Sequence, residues 1–180
     1  KELLLGLLSG FFLALHFSTW ITSLEYTSVA SSVVLVSTGP LWVAIFSPLF
    51  LQEPLSKKIF WGMFLALLGG SLIALSDSCS WSSGLVCPTF TSFLTGRSMQ
   101  GNLLALAGAF TVSGYLLIGR RLRAKMTLIP YIFVVYSMAA VILIIFMLFA
   151  RQTPFGYPAA TYGWIFLLAL IPQIIGHSTY

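Results

Sequence analysis

The sequence predicts an all-α membrane protein, a polytopic helical bundle. Of its 180 residues, 58% are hydrophobic and only 7% charged, and mean hydropathy is +0.98; an ordinary soluble domain carries roughly 25% charged residues. Four acidic and nine basic side chains cannot clothe a 19.7 kDa globule, so most of the surface must face lipid. The apolar residues are gathered into long runs rather than interleaved with polar ones. Together these features exclude a water-soluble globule, a disordered chain and a disulfide-rich secreted scaffold.

A membrane span needs roughly 20 mostly apolar residues to cross about 30 Å of hydrocarbon. Six segments qualify or nearly do: Leu3 to Leu24, Val29 to Leu51, Ile59 to Ser76, Gly101 to Gly119, Leu128 to Phe149, and Gly163 to Tyr180. These runs are twice the length of a barrel strand and do not alternate polar with apolar, so they predict helices. The chain opens Lys1-Glu2-Leu3 without an initiator Met and stops at Tyr180 inside an apolar run, so it reads as part of a longer chain. Its start resembles a signal peptide with a Ser28-Val29-Ala30 cleavage lookalike, but the apolar core outruns the usual stretch of about 7 to 15 residues and reads better as a span.

Charge sets an expected orientation. Lys1, Lys57, Lys58, Arg120, Arg121, Arg123 and Lys125 fall on one side, and only Arg97 and Arg151 on the other. The positive-inside rule makes the first side cytoplasmic. The same distribution explains the net charge of +5 and the pI near 9.5, so the Arg120-Arg121-Leu122-Arg123 cluster reads as a topology signal rather than a nucleic-acid or lipid site. The long Asp77 to Gln100 connection then lies outside. It holds Cys79 and Cys87, which either close a small disulfide loop in an oxidising exterior or stay as two thiols. No metal or cofactor site is expected, since no His or acidic cluster accompanies them.

Polar residues inside spans mark helix contacts or a water-filled cavity. At 100° per residue, Ser9, His16, Trp20 and Ser23 share a sector of about 60°, and Ser31, Thr38 and Trp42 repeat the same offsets on the second span. Such stripes serve either as helix–helix glue with interfacial tryptophans or as the lining of a solute path. Trp42 lies about ten residues from either end of its span, too deep for an interfacial belt, and so favours a lining. Pro40 and Pro172 predict kinks. Gly62, Ala66 and Gly70 form a small-residue ridge suited to packing. On the fourth span, Asn102, Ala109 and Ser113 share one face and Gly108, Thr111 and Tyr115 another; Tyr115 is the candidate for shaping a pocket.

All four acids, Glu2, Glu25, Glu53 and Asp77, sit at span ends. A proton-coupling carboxylate is thus missing from the span interiors, leaving His16 and His177 as titratable candidates. Paired carboxylates, a nucleophile elbow and a phosphate loop are also missing, which argues against an enzyme.

Ser18-Thr19-Trp20 and Ser178-Thr179-Tyr180 each closely follow a His, and an offset of five spans would invert the second copy relative to the first. The chain resembles the EamA-like transporters of the drug/metabolite transporter superfamily. The resemblance is densest at Glu25-Tyr26-Thr27-Ser28-Val29-Ala30, Thr38-Gly39-Pro40-Leu41-Trp42, Glu53-Pro54-Leu55-Ser56, Gly62 and Leu68-Gly69-Gly70. It extends to Gly119-Arg120-Arg121-Leu122 and to Pro172 through Gly176-His177. It implies ten helices in two inverted five-helix repeats around a central cavity, with residues 1–76 as the last three helices of the first repeat. Residues 77–100 would be the extracytoplasmic loop between repeats and 101–180 the truncated start of the second. Ser56 capping the following helix and Glu53 at its positive end give the Glu53-Pro54-Leu55-Ser56 segment a structural account as well.

The function expected is secondary transport of small organic metabolites, amino acids or drug-like solutes, outward across the plasma or inner membrane by alternating access. The runner-up is a membrane-embedded enzyme acting on a lipid-linked substrate; a sensor or assembly subunit is a third possibility. The expected solute site comprises His16, Trp20, Thr38, Trp42, Tyr115, His177 and Tyr180, with aromatic rings serving an amine or apolar solute and Thr38 and the histidines its polar ends. The partners expected are a small-molecule solute and the lipid bilayer, with no nucleic acid.

Overall fold

A computed structural model describes residues 1–52, 57–78 and 96–171, all in helices and their connections. The helices are α1 (Glu2–Ser23), α2 (Val29–Val36), α3 (Gly39–Phe50), α4 (Lys57–Ser78), α5 (Arg97–Arg123), α6 (Leu128–Phe149) and α7 (Ala159–Leu168). Among the described residues, four stretches are long and apolar enough to cross a membrane: α1, α2 with α3, α5 and α6. Large apolar side chains on their outer faces are exposed, including Phe133 and Leu148 of α6, while the same helix turns Tyr131, Val135, Ala139 and Ile142 inward at helical spacing. That inside-out distribution is what a bilayer solvent requires, and it makes this a multi-pass, all-α membrane protein.

The second span is broken rather than bent. Pro40 has no N–H to continue the ladder, and the chain closes a tighter turn around Thr38, whose N–H bonds the Leu35 carbonyl at 3.1 Å while Leu41 N–H bonds the Thr38 carbonyl at 2.8 Å. Ser28 caps the first half by accepting from the Ser31 N–H at 3.1 Å. At 27 residues, α5 outruns its predicted Gly101 to Gly119 core. It would extend about 40 Å, enough to carry Arg97 and the Arg120 cluster beyond the hydrocarbon at opposite ends. The last helix starts at Ala159, four residues before the predicted Gly163. Pro172, the Cys79 and Cys87 loop and the Glu53-Pro54-Leu55-Ser56 segment lie outside the described residues.

The bundle is organised around α5. It packs along α1 most extensively, with α2 and α3 beside it, and α6 packs on α1 and also touches α5. Glycine sets these approaches. A Cβ at Gly10 would stand 2.6 Å from the Val135 carbonyl oxygen of α6, and one at Gly108 of α5 would meet Trp20 Cβ and Thr19 Oγ1 at 3.3 Å. Gly6 and Gly10 thus form a small-residue seam for α6. By contrast, the ridge predicted on α4 meets another helix at Gly70, where an added Cβ would lie 3.6 Å from Leu35 Cδ2, while one at Gly62 would have open space around it among the described residues. The densest core lies between α1, α5 and α6, where Leu13, Ala14, Tyr115, Leu122, Tyr131 and Val135 are buried together.

Candidate functional site

The two ends of the bundle are built differently. At the end carrying the α1–α2 turn, polar groups tie that turn to α5. Thr27 Oγ1 donates to Asn102 Oδ1 at 2.8 Å, and Arg97 Nη2 donates to the Glu25 carbonyl at 2.9 Å. The same guanidinium lies over the Tyr26 ring, 5.4 Å from its centroid. The backbone of Gly101 permits this approach, because a Cβ there would stand 2.7 Å from Thr27 N and Cβ. Behind it, Ser23 and Ser32 share a 2.6 Å hydrogen bond between α1 and α2. Serine and threonine pairs of this kind hold helices together where lipid supplies no hydrophobic drive.

Deeper along α1, His16 is buried, and its Nδ1 donates to the Gly108 carbonyl at 2.9 Å. Its ring stacks on Trp20, with centroids 5.7 Å apart and planes 25° from parallel. The Trp20 Nε1 is buried without a hydrogen-bond partner among the described residues, as are Ser31 Oγ and Asn102 Nδ2. Unpaired buried donors cost free energy in apolar surroundings, so this seam offers hydrogen bonds to a polar occupant.

Toward the end carrying Lys1 and the Arg120 cluster, a cavity of about 440 Å³ lies between α1, α3 and α5. α1 contributes Leu5, Leu8 and Phe12, and α3 contributes Phe46, Phe50 and Leu51. From α5 comes one helical stripe that begins at Phe110, runs through Ser113 and Leu117 and ends at Arg121. Ser113 Oγ donates back to the Phe110 carbonyl at 2.6 Å, so the walls are apolar and Arg121 is the charged group on them.

Five of the seven residues predicted for the solute site are described, and they fall in four places. His16 and Trp20 share the α1–α5 seam. Trp42, on α3, packs edge-on against Phe110 with centroids 5.6 Å apart, directly behind the cavity wall. Thr38 is buried at the break in the second span, where its Oγ1 donates to the Leu35 carbonyl at 2.6 Å. Tyr115 belongs to the α1–α5–α6 core with Tyr131, and Ser9 Oγ donates to its carbonyl at 3.4 Å. His177 and Tyr180 lie outside the described residues.

Sequence reasoning passed over the cavity walls. Phe46 follows Trp42 by one helical turn and meets Phe110 at 5.7 Å between centroids, so an aromatic pair at i and i+4 was available as a signal. Phe12 precedes His16 by the same interval. Arg121 carried no separate signal, since it sits in a basic cluster that topology explains.

Helical spans with a cavity between them define a polytopic membrane protein. Residues 1–75 match the model of the EamA-like transporter family, the stretch that contains α1 to α3 and most of α4. The match supports the EamA-type resemblance drawn from the sequence and indicates a membrane transporter of small solutes. No curated protein and no solved structure matches the chain.

Proposed function

We propose that this protein is a secondary transporter that moves a small organic metabolite outward across the plasma or inner membrane by alternating access. The observation that carries the reading is the asymmetry of the bundle. Arg97, Thr27 and Asn102 fasten the end expected to lie outside, while the end expected to face the cytoplasm opens into a cavity. That asymmetry supports a carrier that faces inward, the state from which export would begin.

In this reading the solute enters among the aromatic walls and advances toward the His16–Trp20 seam, where the Trp20 N–H and the imidazole supply polar contacts. Trp42 supports the wall through Phe110. Thr38 lies at a helix interruption, a common location for transporter sites. Tyr115 would act by fixing the α1–α5 spacing, and His177 and Tyr180 complete the proposed set from the second repeat. Residues 1–76 and 101–180 are the parts of the two repeats that rock against each other, with residues 77–100 between them.

The test is metabolite profiling of the medium from cells overproducing the protein, beside Trp42→Ala and His16→Ala variants of verified membrane insertion. A compound that accumulates outside, and loses that accumulation in the variants, supports the assignment. Unchanged export in both variants would leave those residues with packing roles alone. Turnover of a lipid-linked compound without net movement would replace the transporter with an enzyme.

A further inference from the structure

We infer that the cavity between α1, α3 and α5 takes a small amphiphilic carboxylate, an arylalkyl acid held with its ring among the phenylalanines and its carboxylate on Arg121. The inference rests on the transporter reading for its purpose, but the binding site stands on its own geometry.

The apolar half of the recognition is explicit. Phe46 and Phe110 meet edge to face at 5.7 Å and 81°, and Phe12 closes the wall from α1. Edge and face are both offered to an incoming ring, the geometry that aromatic pairs prefer. A volume of about 440 Å³ is in the range of small-molecule pockets.

The polar half is a single charge. Arg121 ends the α5 stripe, eleven residues beyond Phe110 and thus on the same helical face, and it borders the cavity. Its neighbours do not compete for the role: Arg123 Nη1 donates to the Met126 carbonyl at 3.0 Å, and Lys125 reaches Glu2 at 3.8 Å. Among the described residues no carboxylate or carbonyl engages Arg121. A guanidinium with a planar fork of donors at the edge of an apolar cavity selects a carboxylate and repels an amine. Charge complementarity therefore points to an acid, in contrast to the amine suggested by the aromatic stripes.

The test is direct binding to the purified protein in phosphatidylcholine nanodiscs, using 3-phenylpropionate, the neutral 3-phenylpropanamide and phenethylamine as probes. The acid is expected to bind more tightly than the amide and the amine not to bind. Arg121→Gln should weaken the acid about tenfold or more, as loss of a charge-assisted hydrogen bond implies, and leave the amide unchanged, which also reports that the cavity is intact. Arg121→Lys should restore part of the affinity, and Arg120→Gln should change nothing. Equal binding of acid, amide and amine, or full acid binding by Arg121→Gln, would overturn the assignment. So would displacement of the acid by phosphatidylglycerol, since the occupant would then be lipid. Binding without translocation in proteoliposomes would sink the transporter reading and leave the site standing; translocation of other solutes that the acid does not inhibit would sink the site alone.

Discussion

Replacing Gly10 by alanine should loosen the bundle, whereas the same replacement at Gly62 should not. The Cβ added at Gly10 would lie 2.6 Å from the Val135 carbonyl oxygen and 2.7 Å from Met138 Cβ. Ordinary carbon–oxygen approaches between helices are about 3.3 to 3.6 Å, so α6 would have to retreat by the better part of an ångström. The obstacle is backbone and a side-chain root, neither of which can rotate away. Overpacking of this kind costs about 1 to 3 kcal/mol, partly offset by the gain of up to about 1 kcal/mol in helix propensity when Gly becomes Ala. A net loss of up to about 2 kcal/mol is expected from the difference between these ranges, which is about 1 to 3 kcal/mol worse than the same change made without the clash. At Gly62 an added Cβ would meet nothing beyond its own helix turn within 4 Å among the described residues, so propensity acts alone and the variant should be as stable as the parent or slightly more so. Unfolding of the purified protein in a detergent series, followed by circular dichroism, would measure both. A Gly10→Ala variant as stable as the Gly62→Ala variant would refute the claim that α1 and α6 meet through this glycine.

Three further outcomes follow from the same contacts. Asn102→Ala should cost about 1 kcal/mol or less, since it removes one hydrogen bond to Thr27 but also an orphaned amide donor; a double-mutant cycle with Thr27→Val measures the coupling, and strict additivity would deny the contact. If the pinned end is the outer gate, Arg97→Ala should raise labelling of a cysteine placed at Thr27 by an impermeant reagent added outside, and unchanged labelling would count against the gate. Glu2→Gln should leave stability unchanged within error, because the Lys125 pair at 3.8 Å is more than half exposed on both sides; a clear drop in midpoint would show that this pair matters.

How far the sequence reached can be judged element by element. Leu128 to Phe149 was legible to the residue, because its boundaries coincide with a change from polar to apolar composition. The break in the second span was half legible: Gly39-Pro40 announced a disturbance, but whether the helix bends or stops depends on which groups take up the freed carbonyls. The length of α5 was not legible, since Arg97 and Arg120 look like loop residues until the helix is found to run through both, and long side chains at a span's ends can reach out of the hydrocarbon. Of the candidate site, the pairing of His16 with Trp20 followed from helical periodicity, and the structure stacks them. The separation of Trp42 and Tyr115 onto different sides of α5 did not follow, because periodicity assigns a residue to a face of its own helix and says nothing about which neighbour that face meets.

By itself the sequence determined that this protein lives in lipid, that its segments are helices, and that its polar residues lie in stripes. Composition and period suffice for that, because backbone hydrogen bonds must be satisfied within each span wherever water is absent. The tertiary structure decided which stripes meet. In lipid, helix contacts are selected by shape rather than by hydrophobicity, so Gly10, Gly101 and Gly108 set the approaches that Gly62 does not. Where those approaches fail, near Phe46, Phe110 and Arg121, the same geometry leaves the cavity.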